Sequence, residues 1–161
     1  MTALDNLKVR EVVTGGMSET FEMMLSMSIE PCQADPDNQI SGERIVGSVG
    51  FAGDVVGNIR IHVSKVFGRT VAAAMLGMDE DELEGDQDVG EVIGELSNII
   101  GGNLISMLSN RGFPCRLSIP TITIGSDYRI ESMGNAHVER FHFRSGENNV
   151  LVELIMKQNP Q

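Results

Sequence analysis

The stretch Asp88-Val-Gly-Glu91-Val-Ile-Gly-Glu95-Leu-Ser-Asn98-Ile-Ile-Gly-Gly-Asn103 reads as a single helix with three different faces. Val89, Val92, Ile93, Leu96, Ile99 and Ile100, continued by Leu104 and Met107, recur at helical spacing and make an apolar stripe for a core. Asp88, Glu91, Glu95, Asn98 and Gly102 step by three and four, so they share a polar stripe. Gly90, Gly94, Ser97 and Gly101 form a third stripe of small residues. A glycine inside a helix costs about 1 kcal/mol relative to alanine. Several in one helix point to another backbone, or a partner, coming close. The helix is built to present Glu95 and Asn98 as well as to pack.

Upstream of this helix, Asp79-Glu-Asp-Glu-Leu-Glu-Gly-Asp-Gln-Asp88 holds seven carboxylates and has room for one more helical turn. Negative charge there complements the helix dipole. The run reads either as a solvated acidic linker or as an electrostatic guide for a partner with basic residues. Ser64 is a good N-cap for a helix through Val66, Phe67, Val71, Ala74 and Met75, closed by Gly77. Before it, Arg44 to Phe51 and Asp54 to Val63 alternate as two strands joined at Ala52-Gly53. Asp5 to Ile29 has helical periodicity and should end at Pro31. Residues 32–43 read as a loop or irregular edge.

Downstream, the central helix should run from about Asp88 to Asn110, where Gly112-Phe-Pro114 stops it. Arg116 to Ile124 reads as a strand whose internal Pro120 marks an edge, a bulge or a strand start. Ala136 to Arg144 and Asn149 to Lys157 make a hairpin. Helix, two strands, helices, three strands is the order of an α+β fold, with long helices packed on one face of an antiparallel sheet. Residues 1–161 read as a single domain, long enough to bury a core without staples.

A net charge of −11 argues against nucleic acid as a partner. No apolar run approaches a membrane span, so no membrane insertion is expected. The N-terminus lacks the pattern of a secretory signal, which points to a cytoplasmic protein. Cys32 and Cys115 match no metal or redox spacing, and no disulfide between them is expected. His62, His137 and His142 fall in strands, with His137 and His142 on opposite faces, and read as sheet-surface or partly packed residues. The acidic run departs from a calcium loop at its fifth and twelfth positions, Leu83 and Gly90. No metal site is expected, and the glycines from Gly47 to Gly57 match neither a dinucleotide fingerprint nor a phosphate loop.

What remains is the Glu95/Asn98 pair, an acid and an amide one turn apart on one face. Such a pair suits insertion into a partner's active site. The carboxylate can pair with a lysine, and the amide both donates and accepts, so it can fix a water. Positioning a water against a phosphoryl group needs little else when the partner brings the metal. By spacing alone, a solvated helix face explains the same residues.

Glu95-Leu-Ser-Asn98, with Pro120 twenty-two positions after the amide, resembles the acid, amide and proline pattern of the CheC/CheX/FliY family of response-regulator phosphatases. The surrounding Gly94-to-Asn103 segment is similar to that family's signature helix. The likeness extends to Glu19-Thr-Phe-Glu-Met-Met-Leu25 and to the order of elements. A second acid/amide pair, usual on the first helix of CheC members, is missing here: Glu22 is followed three residues later by Leu25. The chain is therefore most similar to CheX members. Where the family has Asp or Ser four residues before the acid, this chain has Glu91.

The resemblance implies docking on a phosphorylated CheY-like response regulator and hydrolysis of its aspartyl phosphate. Glu95 and Asn98 would be catalytic, Glu95 bridging to the receiver's lysine and Asn98 orienting the water. Glu91, Gly101 and Gly102 are candidates for partner docking, the two glycines leaving room for close approach. The protein would need no cofactor of its own, Mg²⁺ being held by the receiver, and would be a homodimer. The alternatives are a non-catalytic dimeric adaptor of a two-component pathway and a structural domain whose polar stripe is only solvated.

Overall fold

The computed structural model describes residues 8–34, 40–126 and 136–159. Its elements run α1 (Val9–Leu25), β1 (Glu30–Pro31), β2 (Arg44–Gly53), β3 (Val55–Ser64), α2 (Lys65–Leu76), a 3₁₀ turn (Glu80–Glu82), α3 (Asp86–Asn110), β4 (Cys115–Leu117), β5 (Thr121–Gly125), β6 (His137–Ser145) and β7 (Asn148–Gln158). One sheet holds all seven strands in the order β1-β6-β7-β3-β2, with β4 and β5 both pairing along the far side of β2. Every pairing is antiparallel.

Alternation divides that sheet into two faces. Ile45, Val49 and Phe51 of β2, Ile59, Ile61 and Val63 of β3, and Val150, Val152, Leu154 and Met156 of β7 all point to the helices and are buried. Phe141 and Phe143 of β6 join them, and Arg10 of α1 stacks over the Phe141 ring at 5.0 Å. α1, α2 and α3 thus cover one face, and their apolar stripes close a continuous core with it. The β6–β7 hairpin turns on two residues, with Gly146 first at φ +60°, a value that side chains rarely tolerate and tight hairpins require.

Several boundaries differ from the sequence expectation. α1 ends at Leu25 because Ser26 turns left-handed (φ 54°) and the Met27 N–H folds back onto the Phe21 carbonyl at 3.0 Å. Ile29 is buried all the same, from a segment leading into β1, so its apolarity continued the helical pattern without continuing the helix. The expected start at Asp5 lies outside the described residues. The expected strand 116–124 is two strands. Leu117 pairs with Phe51 and Thr121 with Ser48, so Ser118, Ile119 and Pro120 stand opposite only Val49 and Gly50, a bulge of one extra residue.

The acidic run is partly folded. Asp79 and Glu82 close a capping box around the 3₁₀ turn, Arg69 donates to the Glu80 carbonyl at 2.8 Å, and Leu83 is buried. α3 begins at Asp86, two residues early, after Gly85 at φ +85°. Lys65 ties this start to the sheet, 3.1 Å from Asp86 and 3.3 Å from Glu43. Those contacts raise its pKa, the hydrogen bond to Asp86 first and that to Glu43 next.

Candidate functional site

α3 places its three stripes as a helix should, but one serves a different end. Val89, Val92, Ile93, Leu96, Ile100 and Leu104 are core. Ile99 is only half-buried, and Met107 packs against the core from its margin. The small stripe Gly90, Gly94, Ser97 and Gly101 is entirely buried. It faces the sheet. A Cβ on Gly101 would sit 2.6 Å from Val49 Cγ1 and 3.2 Å from Leu117 Cδ2, and one on Gly94 would sit 3.2 Å from Ile122 Cδ1. Gly101 therefore cannot serve as room for a partner, as first expected: the sheet already occupies that space. Gly102 differs, since a Cβ there would meet nothing within 4 Å.

Gly47 completes the seat from the strand side. A side chain on it would overlap Ser97 Oγ and come within 2.8 Å of the Ile93 carbonyl. Ser97 is fully buried and donates back to that carbonyl at 3.0 Å, which satisfies its hydroxyl inside the core. These contacts set the depth and rotation of α3. They leave Glu91, Glu95, Asn98 and Gly102 off the seat, with Glu91 and Glu95 on the flank of α3 that looks toward the edge strand β5.

Glu91 and Glu95 are exposed and Asn98 is half-buried. Among the described residues, none of the three has a hydrogen-bonding or ion-pairing side-chain partner. An open groove of about 520 Å³ runs beside the two acids, with Glu91 and Glu95 on one wall and Pro120, Ile122 and Ile124 on the other. The helix and the bulged edge strand together thus bring Glu95 and Pro120 into one site, although they lie far apart in the chain. Among the described residues, no three or more His, Cys, Asp or Glu side chains come together as a metal site.

The histidines lie elsewhere. His62 is buried, contrary to a sheet-surface reading, and its Nε2 pairs with Glu153 Oε1. Glu153 is 3% exposed and also accepts from Arg140 Nε at 2.9 Å. Burial drives its carboxyl pKa up, but the hydrogen bonds and charges of His62 and Arg140 outweigh that and hold it below the ordinary value. This network lies on the face of the sheet opposite α1, α2 and α3, away from the candidate site. His137 pairs with Glu139 at 2.8 Å. Cys32 and Cys115 are free, with Cys115 bonded to the carbonyls of Val55 and Phe113.

An acid and an amide on one helix, seated over an antiparallel sheet beside a proline from its edge strand, define a single-site domain of the CheC/CheX type. The chain belongs to the CheX family: the family model for chemotaxis phosphatase CheX matches residues 45–144. A curated relative, the CheY-P phosphatase CheX of Thermotoga maritima, is 28% identical over 131 residues, covering 79% of this chain and 82% of that one. The chemotaxis protein CheX of Vibrio vulnificus superposes with a TM-score of 0.78 at 18% identity, covering 93% of this chain and 97% of the other. CheX in a CheX–CheY–BeF₃–Mg²⁺ complex from Borrelia burgdorferi gives 0.74 at 20% identity, covering 94% and 99%. At these identities the solved structures establish a shared fold.

Proposed function

We propose that this protein is a phosphatase that docks on a phosphorylated CheY-type receiver and hydrolyses its aspartyl phosphate, with Glu95 and Asn98 as the catalytic pair. The observation that carries this reading is an acid and an amide, both without side-chain partners among the described residues, held on the open side of a helix whose opposite side is locked into the sheet. Family membership and the activity of the Thermotoga relative support it. The receiver lysine pairs with Glu95, which fixes the approach of the two proteins. Asn98 accepts from and donates to the attacking water and aligns it with the phosphorus. Attack breaks the bond between phosphorus and the aspartyl oxygen, releasing phosphate and the free carboxylate. Mg²⁺ belongs to the receiver in this scheme and stabilises the charge on the phosphoryl oxygens.

Gly102, with open space above it, lets the receiver backbone approach Asn98. Receivers of this kind work in the cytoplasm, and no helix among the described residues is long and apolar enough to cross a membrane. A homodimer is part of the same proposal, and light scattering on the purified protein tests it.

The deciding experiment follows the decay of a phosphorylated CheY-type receiver with Mg²⁺, alone and with wild type or Asn98→Ala. Wild type should accelerate decay, and Asn98→Ala should lose about 10²-fold or more of that acceleration while keeping its fold. Full activity in Asn98→Ala would sink the mechanism. Binding without acceleration by wild type would favour an adaptor.

A further inference from the structure

Ile119 is 84% exposed, more than any other large hydrophobic side chain among the described residues. It is not a loose loop residue. The Gly50 N–H donates to Ser118 Oγ at 2.9 Å, and the Ser118 N–H donates to the Gly50 carbonyl at 2.8 Å. This reciprocal pair pins the base of the bulge to β2. Pro120, on the other side, rests against α3 where Gly94 has no side chain: a Cβ there would lie 3.5 Å from the Pro120 Cβ. The bulge is thus fastened at both ends and turns Ile119 outward. Bulges beside active sites re-aim side chains in this way.

The knob adjoins the groove on which Glu91 and Glu95 stand opposite Pro120, Ile122 and Ile124. Ile124 is itself 38% exposed. Glu91 and Glu95 are one turn apart, and like charges at that spacing repel by a few tenths of a kcal/mol. No side chain among the described residues offsets this. An apolar wall facing two uncompensated carboxylates is complementary to a surface that is itself apolar with cations at its margin.

Resting on the phosphatase reading above, we propose that the Ile119 bulge is the docking anchor for the receiver. Ile119 enters an apolar depression next to the receiver's phosphorylation site, and Glu91 lies against a receiver cation additional to the lysine met by Glu95. Docking and chemistry are then divided. The edge strand supplies affinity and receiver choice, and α3 supplies the acid and the amide.

The test measures the Kd of a beryllofluoride-activated CheY-type receiver with Mg²⁺ by calorimetric titration, so that binding is read without turnover. Ile119→Asp should weaken binding about tenfold or more, Ile119→Leu should keep it, and Asn98→Ala should leave Kd near wild type. In turnover, Ile119→Asp should raise KM while kcat at saturating receiver stays near wild type. Unchanged affinity in Ile119→Asp, or no binding by wild type, overturns the inference. So does loss of self-association with receiver affinity retained, which would assign the bulge to a second copy of this chain. Tight wild-type binding without acceleration overturns the catalytic reading alone, and the Kd values still decide the anchor.

Discussion

Glu95 and Glu153 are the same residue put to opposite uses. Glu95 stands in the open with no partner among the described residues, available to a cation from outside. Glu153, buried on the sheet, is satisfied from both sides by His62 and Arg140. Because its folded pKa is depressed, its contribution to stability is fully present above the ordinary glutamate value of about 4.3. That contribution is lost as pH falls through the lower folded-state value. Glu153→Gln should therefore cost about 1–3 kcal/mol near neutral pH, for a charged hydrogen bond whose Arg140 end is half in water. Thermal unfolding of both proteins from pH 7 downward checks this: the gap in Tm should narrow in the acid range. A gap independent of pH would mean that packing, not ionisation, holds the network.

At the level of elements, α3 owes its stability to its seat. A helix carrying four glycines gains little from intrinsic propensity, and packing on the sheet and on α1 and α2 offsets that. Gly47 is the tightest point of the seat. Gly47→Ala should cost about 1–3 kcal/mol by overpacking against Ser97 and the Ile93 carbonyl. Relief requires α3 to rise or rotate, which moves Glu95 and Asn98 relative to the Pro120 bulge. The variant should therefore lose phosphatase activity although residue 47 lies beneath the site. Activity and Tm measured together check it: a lower Tm with full kcat/KM would show that the position of α3 is not critical.

Across the whole molecule, charge is unevenly placed. The acidic run enters α3 at the groove, which Asp86 lines, while Arg60 and Arg140 share a row with Glu153 on the face of the sheet opposite the three helices. A molecule of net charge −11 that offers carboxylates where it docks should attract a receiver with a basic rim from a distance. Asp81 and Glu84 are exposed and lie within that run. Replacing them with Asn and Gln should slow association at low salt and matter less near 0.1 M, where the Debye length is about 10 Å. Stopped-flow binding across ionic strengths measures this. A loss equal at all salts would assign the run to structure, as its capping box and buried Leu83 also allow.

By itself the sequence determined most of the elements and the helix face that carries the candidate pair. Periodicity of 2 and 3.6 shows in a single chain, so the strands, the helices and the shared face of Glu95 and Asn98 were legible from spacing. Which neighbour filled each stripe was not. Gly101 and Gly102 are adjacent and chemically identical, yet one lies under Val49 and the other in open space, a difference set by the rotation of α3 on the sheet. Pro120 signalled an irregular strand, but its register against β2, and hence the outward turn of Ile119, depends on Gly50 and Ser118, sixty-eight positions apart. The burial of His62 with Glu153 likewise arises only once β3 and β7 pair. Local pattern specifies which face a residue shares with its own element. What that face meets is decided by contacts between distant segments, and those exist only in the folded chain.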